Sequence, residues 1–84
     1  MKLKIYSLRD QKTDQYLNPM AMQTAGQIIR MLQDEMQNNK ENMIGAHAED
    51  FELFEIGEFD SETGVITGHT PKSVSVLSDL KPKQ

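Results

Sequence analysis

The sequence contains no cysteine. That excludes disulfides and thiolate–metal sites, and it suits a reducing compartment. No apolar run approaches the roughly 18–20 residues of a membrane span. The apolar residues of the opening Met1-Lys2-Leu3-Lys4 alternate with polar ones instead of forming a signal-peptide core. Nucleotide-binding, metal-binding and nucleophile motifs are absent, as are internal repeats and low-complexity tracts. The expectation is therefore a chain without cofactor, metal or catalytic residues. At 84 residues it has room for one domain, residues 1–84, and not for two cores. A chain this short buries roughly 60–65% of its unfolded surface, so an oligomer would add to a thin margin of stability.

Charge is unevenly spread. The net charge is −4. Residues 1–12 carry Lys2, Lys4, Arg9 and Lys12 against Asp10, a balance of +3. Residues 41–62 carry eight acids and no base, a balance of −8. Residues 69–84 return to +2 through Lys72, Lys81 and Lys83 against Asp79. Phosphate-backbone binding needs clustered cations. The overall balance argues against strong nucleic-acid binding and leaves the two basic ends as the place for a weak one.

The clearest local signal runs from Asp50 to Thr67. Apolar residues and acids interleave from Phe51 to Phe59, and the chain re-enters at Val65-Ile66-Thr67. Between them, Asp60 and Thr63 can bond their own backbone, and Gly64 can take the positive φ of a type I turn with bulge. This predicts a β-hairpin with strands 51–59 and 64–68. Residues 2–9 read as a strand, with Leu3 and Ile5 on one face and Tyr6 and Leu8 on the other. Residues 15–17 are a candidate return strand that stops at Asn18-Pro19. Thr24 and Gln27 have capping-box spacing, and Ile28, Leu32 and Met36 recur at helical intervals, which predicts an amphipathic helix over 24–38. Lys40 to Glu49 reads as a polar connection. Gly68-His69-Thr70-Pro71 reads as a break. The segment Ser73 to Leu77 fits both strand and helix, and is taken as short helical or irregular structure. Residues 81–84 should fray. The fold class expected is α+β: a small, mainly antiparallel sheet with the helix on one face.

Candidate site residues compete with plainer readings. His47 and His69 fall in predicted loops, where each could join Glu49 or Asp50 as an acid–base pair or metal ligand. A solvated histidine is the simpler account. Asp60 to Gly64 has the residue types of a calcium loop, but five residues joining two strands are explained by turn chemistry. Glu52, Glu55 and Glu58 are a solvated set that protects a strand edge, or an acidic patch for a basic partner. By period-2 alternation, Glu52 and Glu58 share one face and Glu55 takes the other. The six methionines read as adaptable filling of a core or subunit interface. Tyr6, Tyr16, Phe51, Phe54 and Phe59 could stack bases on an open sheet, or form the core. Phe54 and Ile56 oppose Phe51, Leu53 and Phe59 across the strand. Both faces are therefore apolar while one helix covers only one, which points to assembly.

Three stretches carry a family resemblance: the opening Met1 to Asp10, the Tyr16-x-x-Pro19 step, and Asp50-Phe51-x-Leu53-Phe54-x-Ile56-Gly57-x-Phe59-Asp60-x-x-Thr63-Gly64-Val65-Ile66. Together they resemble the small nonstructural protein of gokushoviruses, bacteriophages with circular single-stranded DNA genomes. The chain departs from that pattern where Met20-Ala21-Met22 follows Pro19. The resemblance implies a non-enzymatic phage accessory protein in the host bacterial cytoplasm, acting in single-stranded DNA genome synthesis or packaging. It implies single-stranded DNA, the replication initiator or the capsid precursor as partners, and it supplies no catalytic residues. Lys2, Lys4, Arg9 and Lys12 are the nucleic-acid-binding candidates. Glu52, Glu55, Glu58, Phe54 and Ile56 are the candidates for protein contact, the alternative being an acidic hairpin that binds a basic viral or host partner without DNA. A homo-oligomer is expected.

Overall fold

A computed structural model describes residues 1–38 and 43–80. Its centre is an antiparallel pair, β1 (Lys2–Asp10) and β4 (Phe51–Asp60). β5 (Ile66–Val76) pairs with the far side of β4. The short strands β2 (Gln15–Tyr16) and β3 (Met20–Met22) flank the outer side of β1, opposite Arg9–Asp10 and Lys4–Tyr6 respectively. Every pairing is antiparallel. Helix α1 (Ala25–Asn38) lies against one face. This is the expected α+β arrangement.

The local chemistry explains the elements. Gln27 donates its backbone N–H to Thr24 Oγ1 at 3.3 Å, and its side chain accepts from the Gln23 N–H at 3.0 Å. The capping box thus forms, with its return bond one residue early. Ile28, Leu32 and Met36 are the buried stripe of α1. They pack on Tyr6, Leu8, Phe51, Leu53, Ala48 and Leu77. Burying a side chain of the size of Leu53 or Phe51 contributes about 1.5–3 kcal/mol. At the hairpin tip the Gly64 N–H donates to the Asp60 carbonyl at 2.7 Å, and the Asp60 N–H donates to the Val65 carbonyl at 2.9 Å. Gly64 has φ +77°, as the turn reading requires. Residue 17 continues the β2 hairpin: its N–H donates to the Leu8 carbonyl, and its carbonyl accepts from the buried Ser7 hydroxyl, both at 2.7 Å.

Several expectations are corrected. No break occurs at residues 68–71. β5 runs from Ile66 to Val76 and carries residues 69–71 as a bulge between the pairs Gly57–Gly68 and Glu55–Lys72. Pro71 is tolerated because β5 is an edge strand with no outer neighbour to receive an N–H. Residues 73–76 are strand, and the helical character expected there begins only at the 3-10 turn Leu77–Leu80. Val74 reaches the core from the strand, and Leu77 and Leu80 reach it from the turn. Met20–Met22 is a strand that the sequence reading left out. The connection before β4 holds a helical turn α2 (Met43–Ala46) and a 3-10 turn (Ala48–Asp50), with Ala48 buried and Ile44 packed on the core. Residues 40–42 of that connection, and the tail expected to fray, lie outside the described residues.

The correction with most consequence is a bulge in β4. Ile5 pairs with Gly57, but Tyr6 pairs with Glu55. Ile56 is therefore inserted without a partner on β1, and the alternation of side chains inverts beyond it. Phe51, Leu53 and Glu55 face the helix side, and so does Glu58. Phe59, opposite Leu3, falls with Phe54, opposite Ser7, on the other face. Simple alternation had grouped Phe59 with Phe51 and Leu53, and Glu58 with Glu52. Close approach accompanies the bulge: a Cβ on Gly57 would stand 2.6 Å from the Thr67 carbonyl oxygen.

Candidate functional site

The four candidate cations sit along β1 and its following turn, and the fold separates them. Lys2 and Lys4 share a face by alternation, whereas Arg9 points to the other. Seven residues of extended strand put Lys2 roughly 23 Å from Arg9. Each lies beside an acid. Lys2 pairs in register with Asp60. Lys4 Nζ stands 3.3 Å from Glu58 Oε1 and 4.0 Å from Glu55 Oε1. The hydrogen bond to Glu58, followed by the charges of Glu55 and Glu58, raises the Lys4 ammonium above its ordinary pKa. Arg9 donates to Asp14 Oδ1 at 2.9 Å and to Gln11 Oε1 at 2.5 Å. Lys12 is exposed and borders a depression of about 310 Å³ with Asp10, His47, Asp50 and Phe51. Lys72 stands opposite Glu55 in the β4–β5 register.

The acids of the hairpin are engaged by the same contacts. Glu52 accepts from Gln11 Nε2 at 2.9 Å and from the Ser73 hydroxyl. Glu55 Oε2 lies 2.9 Å from His69 Nε2, and the other ring nitrogen of His69 lies 2.8 Å from the Thr70 carbonyl. His69 is thus a half-buried strand residue bridging β5 to β4, not a loop histidine. Because the bulge returns Glu58 to the side of Glu55, both carboxylates reach one lysine.

The apolar candidates separate from Glu55 and Glu58. Phe54 and Ile56 are half-buried and stand outside the cluster packed on the helix, as do Leu3 and Phe59. The Phe54 ring meets Tyr16 edge-on, with centroids 5.6 Å apart at 71°. The Arg9 guanidinium lies 6.0 Å from the Tyr16 ring centroid. Ile5 is buried yet outside the helix-side cluster. Ile66, opposite Phe59, is 68% exposed. The face away from α1 is therefore apolar and aromatic through its middle, with Arg9 and Glu52 directly opposite each other at one end. The sequence reading anticipated two apolar faces but missed the bulge that assembles this one. The signal was present: an isolated glycine inside a strand pattern, Gly57, marks a bulge or a close backbone approach.

His47, Glu49 and Asp50 bring their ligand-type atoms within 4.8 Å of one another on the 3-10 turn, with His47 and Glu49 exposed. Proximity in sequence along one short turn accounts for that cluster. Among the described residues, no helix is long and apolar enough to cross a membrane.

The sequence profile of the Phage ORF5 protein family matches residues 3–80. No curated protein and no solved structure matches the chain.

Proposed function

The chain belongs to the Phage ORF5 protein family, and from that premise we propose a non-enzymatic phage accessory factor in single-stranded DNA genome synthesis or packaging, working through protein contact instead of a grip on phosphates. The stage of the phage cycle rests on the resemblance of the opening strand and the hairpin motif to the gokushovirus nonstructural protein. The manner of action rests on one observation: the cations of β1 are dispersed, and Lys4 and Arg9 are held by carboxylates. A phosphate would compete with Glu58 or Asp14 for them, and the neighbouring acids oppose its approach. The apolar face away from α1 supports contact with protein, and beyond a second copy of the chain the replication initiator and the capsid precursor are the partners to try.

Direct DNA binding has one observation in its favour. Tyr16 is 44% exposed beside the half-buried Phe54, and aromatic side chains on a sheet can stack bases. Fluorescence anisotropy with labelled single-stranded DNA over a salt series separates the two. The protein-contact reading expects weak binding, little altered when Lys2 and Lys4 are both changed to Glu, together with co-purification of the capsid precursor or the initiator. Binding that falls with salt at about −0.7 per phosphate over several phosphates, and that weakens in the double Lys→Glu variant, would overturn it in favour of DNA.

A further inference from the structure

We propose that the sheet face away from α1 is the contact surface of a homodimer, two copies of the chain stacking face to face about a two-fold axis. The inference rests on the protein-contact reading above and names the occupant of that surface.

Composition points to a neutral, apolar occupant. Leu3, Ile5, Phe54, Phe59 and Ile66 follow one another across β1, β4 and β5, outside the cluster that α1 covers. Charge is confined to one end of the face, where Arg9 is paired with Asp14 and Glu52 accepts from Gln11 and Ser73. A phosphate backbone or a charged peptide would find no charge to match over the apolar middle of the face. A second copy offers the same apolar surface, and an isologous interface requires just such self-complementarity.

Area is consistent with that occupant. The chain exposes 5534 Å², against roughly 5,100 Å² for a compact monomer of its mass. Three long strands about 4.8 Å apart and ten residues in length present roughly 500 Å² in projection, and more over their side-chain relief. Specific interfaces begin near about 600 Å² per partner. Packing of two sheets in this way is a standard solution for a sheet with two apolar faces.

The edge of the sheet is a poorer route to assembly. Among the described residues no strand pairs with the outer side of β5, and that edge carries Pro71 and Lys72 and two register shifts. Proline, lysine and bulges are the devices by which an edge strand resists pairing with another chain. Assembly is thereby directed to the face.

Multi-angle light scattering over a wide range of concentration tests the proposal. The expected mass is twice the 9.6 kDa of the chain. Phe54→Glu should return the mass to that of one chain while far-ultraviolet circular dichroism stays unchanged. Ile66→Glu provides a second variant at a position already 68% exposed, where loss of core packing is not at issue. It should lower the dimer fraction at least tenfold at equal concentration. A wild-type mass of one chain at every concentration would overturn the dimer, as would folded Phe54→Glu and Ile66→Glu variants that both remain dimeric. A monomer that still captures the capsid precursor would refute the dimer and leave the protein-contact function standing. A dimer lost in both variants, yet binding DNA with a steep salt dependence, would support the interface and refute that function.

Discussion

Replacing Gly57 by alanine tests the closeness of β4 and β5 at the centre of the hairpin. The added methyl would stand 2.6 Å from the Thr67 carbonyl oxygen and 3.2 Å from Gly68 Cα. Both are backbone atoms, so no change of rotamer relieves the contact. The strands must part at the Gly57–Gly68 pair. Overpacking of this kind costs about 1–3 kcal/mol, and each weakened ladder bond adds about 0.5–1.5 kcal/mol. Reduced entropy of the unfolded chain returns about 0.4–1 kcal/mol. The net expectation is a loss of about 2–3 kcal/mol. In a domain of this size each kcal/mol shifts the melting midpoint by about 4–8 °C, so the fall should be roughly 8–24 °C. Gly68→Ala is the control, since its Cβ would meet nothing nearer than the Ile56 carbonyl oxygen at 3.9 Å. It should stay within about 0.5 kcal/mol of the parent. Urea unfolding followed by circular dichroism, at one fixed protein concentration, measures both. Equal midpoints for Gly57→Ala and Gly68→Ala would refute the close approach.

Gly64→Val has open space around the new side chain but must hold φ near +77°. It should cost about 1–3 kcal/mol by strain alone, seen as a lower urea midpoint, and an unchanged midpoint would show that the turn relaxes freely. Asp60 contributes to the acid limb. Its carboxylate accepts from the Glu62 and Thr63 backbone N–H groups, which hold its pKa below the ordinary value. Its contribution to stability is present above the unfolded value of about 3.9 and is lost as pH falls through the depressed folded value. Asp60→Asn should therefore flatten the fall in melting midpoint below about pH 4, and parallel acid limbs for the two proteins would refute the assignment.

Much of the fold is legible in the residues because local and global preferences agree there. Thr24, Gln27 and the Ile28–Leu32–Met36 stripe define α1 to within a residue, since cap, period and burial all specify the same element. Asp60, Thr63 and Gly64 define the turn for the same reason. The losses come where tertiary position overrides a local rule. Gly68 to Pro71 breaks a strand in isolation, yet at the edge of a sheet the missing proline N–H costs nothing. β3 follows Pro19 and has only three residues, too few for a period to declare itself, and it exists because β1 has a free side. His69 was read as solvated because its partner, Glu55, lies fourteen residues away across two bulges.

The candidate site was legible as a list of residues but not as an arrangement, and one inserted residue accounts for the difference. Without Ile56 as a bulge, strict alternation would place Glu58 beside Glu52 on the face away from α1 and turn Phe59 toward the helix. That face would then be acidic, and Lys4 would lose its nearest carboxylate and be freer to meet a phosphate. With the bulge, Glu58 joins Glu55 at Lys4, and Phe59 joins Phe54 opposite. The same displacement pairs a cation with a carboxylate and removes an acid from the apolar face. On the function proposed above, both consequences favour protein over phosphate, and they follow from the register of β4 alone. Gly57 is what allows that register to close against β5, since any larger residue would meet the Thr67 carbonyl. What the hairpin presents on each face is therefore set by backbone geometry at residues 55–57 more than by the number of acids along it.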